Sequence, residues 1–176
     1  MTQTEMLRFV QSFASPVLDP VFIGFTLLGS EEFFMIALGA LYWCVDKRRG
    51  FAMTVVVTGA FWLNAMLKEI FHTPRPSPTV FRVLFPESAS GYAFPSGHTQ
   101  SSLTFWGALP RYFRVQWAVT AGLIIVPVVA LSRLYLGVHW PIDIVGGAFF
   151  GALSLVLLSP ISAVATDWSR RTGTVL

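Results

Sequence analysis

The chain has 176 residues, of which 54% are hydrophobic and only 12% charged, with a mean hydropathy of +0.64. Soluble domains carry about 25% charged residues, so this composition excludes an ordinary water-soluble domain and points to one integral-membrane domain over residues 1–176. A formal net charge of +3 is too small to argue for nucleic acid, and no nucleic-acid partner is expected.

In chain order, residues 4–17 read as a short amphipathic helix. Met6, Val10, Phe13, Ala14 and Val17 share one face, with Glu5, Arg8, Gln11 and Ser12 elsewhere. Too polar to span, it is placed on the membrane surface, closed by Pro16 and Pro20. No cleavable signal peptide is expected, because no basic region leads into a continuous apolar core. A first span is predicted over 21–45. Glu31 and Glu32 within it are costly in hydrocarbon, so they face protein, water or an interface, or mark a break between a re-entrant piece and a span. Residues 1–45 alternatively form two short passes. Asp46-Lys47-Arg48-Arg49 reads as a tight charged turn, and a second span over 50–71 directs Asn64 and Lys68 toward the next loop.

Residues 72–94 form the longest polar connection, punctuated by Pro74, Pro76, Pro78 and Pro86. A third, short span over 96–109 runs into a basic turn containing Pro110, Arg111 and Arg114. The fourth covers 115–131 with Pro127 as a kink, and 132–140 is a polar connection. Pro141 opens the fifth at a helix first turn, leaving Arg170 and Arg171 in a polar tail. The expected fold is all-α, a polytopic membrane bundle of about five to six transmembrane helices plus an N-terminal amphipathic helix, most spans near the roughly 20 residues a bilayer needs. The basic turns at 46–49, 111–114 and 170–171 fall on one side, cytoplasmic by the positive-inside tendency. The expected location is the cell inner (cytoplasmic) membrane, with the two connections rich in Pro, His, Arg and Ser facing the periplasm or cell exterior. The lone Cys44 cannot form an internal disulfide.

Three clusters converge on that outer face. In Lys68-Glu69-Ile70-Phe71-His72-Thr73-Pro74-Arg75-Pro76, Lys68 offers a point charge and Arg75 a planar fork, suited to phosphate oxygens; alone, both could be snorkelling interface residues. In Pro95-Ser96-Gly97-His98, Ser96 is a favoured N-cap. The free amides of the following turn make an anion site, and His98 adds a transferable proton. In Ser132-Arg133 through His139-Trp140-Pro141-Ile142-Asp143, a first-turn Asp143 reaches back to His139, orienting a base-like imidazole, while Arg133 could meet the same anion. A structural His–Asp bond is the alternative for that cluster. Together these are parts for phosphoryl transfer: cations, a nucleophile and an acid for the leaving oxygen.

Lys68-x6-Arg75-Pro76, Pro95-Ser96-Gly97-His98 and Ser132-Arg133-x5-His139-x3-Asp143, in this order, resemble the signature of the type 2 phosphatidic acid phosphatase family. Lipid phosphate phosphatases, glucose-6-phosphatase and the soluble vanadium haloperoxidases share its core. The resemblance implies a catalytic core over residues 64–160 in which His139 attacks phosphorus, Asp143 orients its ring, and His98 protonates the leaving alkoxide and then activates water. It also implies that Lys68, Arg75, Ser96, Gly97 and Arg133 hold phosphate, with no metal and no cofactor. The family usually has six spans, against about five plus a surface helix here. The implied substrate is a lipid monophosphate or diphosphate, such as undecaprenyl diphosphate, phosphatidylglycerophosphate or phosphatidate, and the partners are that substrate and membrane lipids. A phosphotransferase passing phosphohistidine to another lipid, or a non-catalytic lipid-binding or transport protein, are the alternatives.

Overall fold

The computed structural model describes residues 1–173, which form seven α-helices and no strand: α1 (Gln3–Gln11), α2 (Leu18–Leu27), α3 (Glu31–Ala40), α4 (Lys47–Phe71), α5 (Gly97–Phe113), α6 (Trp117–Tyr135) and α7 (Pro141–Thr172). Three of these, α4, α6 and α7, are each long and apolar enough to cross a bilayer. A fourth crossing of comparable length arises only if α2, α3 and the π-helical turn Leu41–Val45 count together, bent by 49°. The chain is a multi-pass membrane protein.

The helix at the centre is the least apolar of the four long ones. α5 packs against α4, α6 and α7 and buries Thr99, Gln100, Ser101, Ser102 and Thr104. A polar group away from water must find a partner inside the protein. Gln100 Nε2 donates to the Ala60 carbonyl at 2.9 Å, the Thr104 hydroxyl to the Gln100 carbonyl at 2.9 Å, and Asn64 Nδ2 to Gln100 Oε1 at 2.8 Å. Shielded by its neighbours, α5 does not need a lipid-compatible surface. Gly147 lets α7 approach it, since a Cβ there would meet the Ser96 carbonyl oxygen at 2.6 Å and Thr99 Cβ at 3.0 Å. Nearby, Phe34, Leu38, Met53, Val57, Phe105, Ala108, Leu109 and Ala118 form an apolar core, held in lipid by close packing more than by expulsion of water.

The four long helices alternate in direction, which sorts the chemistry by end. One end carries Lys47, Arg48, Arg49, Arg111, Arg114, Arg170 and Arg171; the other carries Lys68, the 72–96 loop and the 136–140 connection. The Leu84 amide bonded to the Leu136 carbonyl at 2.9 Å and Trp140 Nε1 bonded to the Pro74 carbonyl at 3.0 Å hold the long loop over its end.

Several boundaries differ from the sequence expectation. Instead of running to residue 17, the first helix stops at Gln11, and Leu7, absent from the expected apolar face, is fully buried, whereas Phe13 and Val17 are exposed. It docks on protein, with Gln11 Nε2 donating to the Arg82 carbonyl at 2.6 Å and Gln3 Oε1 accepting from the Ile142 amide at 3.2 Å. Pro20 lies within α2. The predicted 21–45 span is interrupted at Ser30, whose hydroxyl caps α3, so Glu31 and Glu32 sit in a helix first turn where the dipole favours acids. Asp46 caps α4 by accepting the Arg49 amide at 2.9 Å, making Lys47, Arg48 and Arg49 helical. Pro110 falls inside α5, Ser132 and Arg133 inside α6, and Arg170 and Arg171 inside α7.

Candidate active site

Three helix termini meet under the long loop: the end of α4 and the starts of α5 and α7. Pro141 occupies the first turn of α7, and Asp143 two residues later folds back. Its Oδ2 accepts the Trp140 amide at 2.7 Å and faces His139 Nδ1 at 3.2 Å. An ionised carboxylate only accepts, so Nδ1 carries the ring proton and the lone pair lies on Nε2. His139 is 1% exposed. Burial, reinforced by the positive charges of Arg133, Arg75 and Lys68, holds its pKa well below the usual histidine value, so the imidazole is neutral.

At the start of α5, Ser96 accepts the Thr99 amide at 3.5 Å and the Thr99 hydroxyl at 3.1 Å. Ser96 is fully buried, and its own amide donates to the Asp143 carbonyl at 2.9 Å, tying the two helix starts together. The hydroxyl expected to meet phosphate is thus turned into its helix, away from the cavity. Gly97 and His98 do line that cavity, and helix geometry leaves amides at these first positions without a helical acceptor. His98 Nε2 is buried without a protein partner.

The cations divide into one with spare donors and two already engaged. Lys68, in the last turn of α4, donates to the Ser90 carbonyl at 3.3 Å and has two further N–H groups. Arg75 spends its fork on four carbonyls: Ser90 at 2.8 Å, Gly91 at 2.9 Å, Tyr92 at 3.1 Å and Val138 at 2.7 Å. Its Nη1 also lies 3.1 Å from His139 Nε2, donating to the lone pair. Arg133 is completely buried, with Nη1 bonded to the hydroxyls of Thr26 and Ser88 and Nη2 to the Ser88 carbonyl at 2.9 Å. Its Nε is buried without a protein partner, and Arg133 is not among the side chains that line the cavity.

These groups surround a cavity of 280 Å³ lined by Asn64, Lys68, Arg75, Gly97, His98, Ser101 and His139, among others. A second cavity of 360 Å³ shares Glu31, Ser88, Ser90 and His98 with it. A larger apolar groove of 430 Å³ between α5 and α6 contains none of these side chains.

Residues 49–167 match the model of the PAP2 superfamily. The chain belongs to that superfamily. Among PAP2 relatives, it is 28% identical over 174 residues to lipid phosphate phosphatase delta of Arabidopsis thaliana, covering 90% of this chain and 42% of that one. It is 32% identical over 158 residues to phosphatidylglycerophosphatase B of Bacillus subtilis, covering 81% and 74%. The crystal structure of Aquifex aeolicus LpxE superposes with a TM-score of 0.76 at 26% identity, covering 88% of this chain and 92% of that one. The chain thus spans less than half the length of the plant relative.

Within this PAP2 fold, the structure brings Lys68, Arg75, Gly97, His98 and His139 to one cavity, with Asp143 behind His139. Sequence reasoning overlooked the residues that hold this set. Thr26 and Ser88 fix Arg133 across long chain separations, which no local pattern announces. Ser101, one turn below Gly97, is 1% exposed, lines the cavity and has a hydroxyl without a partner. The run of hydroxyls and an amide after His98, too polar for a lipid-facing helix, was the available signal.

Proposed function

We propose that the chain is an integral-membrane lipid phosphatase that hydrolyses a lipid phosphomonoester or diphosphate through a phosphohistidine, with residues 64–160 as the catalytic core of one domain. The observation that carries this reading is His139, with Nδ1 bonded to Asp143 at 3.2 Å, Nε2 3.1 Å from Arg75 Nη1, and the residue lining a cavity that also holds the unpartnered Nε2 of His98. Lys68 and the first amides of α5 take phosphate oxygens. Arg75 Nη1 moves its hydrogen bond from His139 Nε2 to an oxygen, releasing the lone pair. His139 Nε2 then attacks phosphorus, the bond to the lipid oxygen breaks, and His98, protonated from solvent once the bound phosphate offsets the neighbouring cations, supplies as the imidazolium the proton that oxygen needs. In the second step His98 takes a proton from water, whose oxygen attacks phosphorus and frees His139. Arg133 stiffens the wall and adds positive potential, and its unpartnered Nε is a donor left for a phosphate oxygen.

Purified protein in detergent is expected to release inorganic phosphate from at least one of phosphatidylglycerophosphate, phosphatidate and undecaprenyl diphosphate. No release from any of them, with the folded protein recovered, would overturn the reading; product that appears only when an acceptor lipid is added would make it a phosphotransferase.

Cationic side chains supply the charge neutralisation, so turnover is expected to survive EDTA and to be inhibited by vanadate, a phosphate mimic. Loss on chelation that one divalent metal restores would contradict this.

We further propose that the enzyme lies in the cytoplasmic membrane with this cavity facing outward, because the basic residues outside the three motifs gather mainly at the opposite end of the bundle, at 47–49, 111–114 and 170–171. In a Cys44→Ser background, Val80→Cys in the long loop is expected to react with an impermeant maleimide in spheroplasts, and Arg170→Cys only after permeabilisation. Val80 is 57% exposed. The reverse labelling pattern would put the cavity on the cytoplasmic side.

A further inference from the structure

The end of the bundle away from the candidate active site holds a second cation-lined cavity. There α4, α5 and α7 flank an open cavity of 510 Å³, with Asp46 and the exposed Arg48, Arg49 and Arg111 on one side and Tyr112 with Ser159, Ser162, Ala163 and Thr166 of α7 on the other. Asp143 and Ser162 are roughly 19 residues apart on α7, about 28 Å at 1.5 Å per residue, so the two cavities are separate.

Basic residues at this end could serve only the charge asymmetry of a membrane protein. Lys47, Arg114, Arg170 and Arg171 fit that role: none lines the cavity, and Arg171 pairs with Asp167 at 2.8 Å. Arg48, Arg49 and Arg111 differ, converging from two helices on one concave space. The single carboxylate among them is committed, since Asp46 caps α4 and lies 3.5 Å from Arg49 Nε. Arg48 and Arg111 have no ion-pair partner among the described residues. The cavity thus presents two guanidinium forks with no counter-charge, the geometry that suits phosphate oxygens.

The opposite wall has a different preference. The Ser159 hydroxyl donates to the Leu155 carbonyl at 2.5 Å, Ser162 to the Ser159 carbonyl at 2.8 Å and Thr166 to the Ser162 carbonyl at 2.6 Å. With the Ser162 proton so used, the Tyr112 hydroxyl 2.6 Å away must donate to Ser162 Oγ. All four hydroxyl protons are spent, so this wall offers lone pairs and receives donors. A ligand that satisfies both walls has a phosphate at the arginine side and a hydroxyl at the α7 side.

We propose that this cavity is a binding site for a phosphate group bearing a hydroxylated substituent, the chemistry of a glycerol phosphate. Its source is either the headgroup of an anionic phospholipid or a soluble glycerol phosphate. The site stands apart from the phosphatase reading and does not depend on it.

Native mass spectrometry of the full chain in detergent, titrated with short-chain phosphatidylglycerol, tests this. The parent protein is expected to retain one such lipid about tenfold or more tightly than the Arg48→Gln/Arg111→Gln variant, the loss of one charge-assisted hydrogen bond. It should also prefer that lipid to phosphatidylcholine, whose cation would face the arginines. Ala163→Phe, which fills the cavity without altering charge, should abolish retention. Both variants should elute from gel filtration in detergent and unfold on heating as the parent does, which shows that they are folded. His139→Ala should retain the lipid as the parent does. Displacement by glycerol phosphate in tenfold excess identifies a soluble ligand, and resistance to it a lipid. Equal retention by the parent and both cavity variants, or loss of retention in His139→Ala alone, would overturn the proposal.

Discussion

His139→Ala is expected to lower turnover of a lipid phosphate by on the order of ten-thousand-fold or more, as removal of a nucleophile that works as part of a unit does in other hydrolases. The parent enzyme, quenched during turnover, should yield an acid-labile phosphoenzyme that the variant lacks. Asp143→Asn is expected to fall nearly as far while folding normally. Its amide can turn an N–H toward His139, favouring the tautomer with the proton on Nε2 and removing the lone pair needed for attack. The pH profile follows from the buried position of His139. Burial and the neighbouring cations disfavour the imidazolium, so His139 stays unprotonated as the pH falls through about 6.5, the ordinary histidine value. The acidic limb of kcat/KM should therefore lie below that value. Substantial turnover in His139→Ala would remove it as nucleophile.

The chemistry was more legible in the sequence than the architecture around it. Lys68, Arg75, His98, His139 and Asp143 stand at short, fixed spacings beside helix ends, and proline and serine fix those ends locally, so the His139–Asp143 pairing follows from four residues of chain. The roles of the remaining cations did not follow. Nothing local to Arg133 reveals that Thr26 and Ser88 will engage its two terminal nitrogens, because those contacts depend on how α2 and the long loop fold onto α6. Hydropathy likewise placed α4, α6 and α7 but shortened α6 by stopping before Ser132 and Arg133. A charged residue ends an apolar run in sequence even where the helix continues and the bundle buries it. The break at Ser30 was signalled by Glu31 and Glu32, whose cost in hydrocarbon is avoided by starting a new helix there.

Arg75 separates geometry from charge, and two substitutions divide them. Its guanidinium joins the Ser90, Gly91 and Tyr92 carbonyls of the loop to the Val138 carbonyl beside His139, while Nη1 reaches His139 Nε2 at 3.1 Å. A lysine supplies the charge but only one ammonium, which cannot bridge the two segments. Arg75→Lys is therefore expected to lower kcat by about 100-fold, comparable with loss of a preorganised donor, with the acidic limb of its profile unmoved. Arg75→Gln should lose at least as much rate and, in addition, shift that limb upward, because removing a neighbouring positive charge makes the imidazolium of His139 easier to form. A purely structural role would lower the rate in both variants and move the limb in neither. Parental kcat in Arg75→Lys would mean that the fork is not needed, and that the four carbonyl bonds do not set the position of the nucleophile.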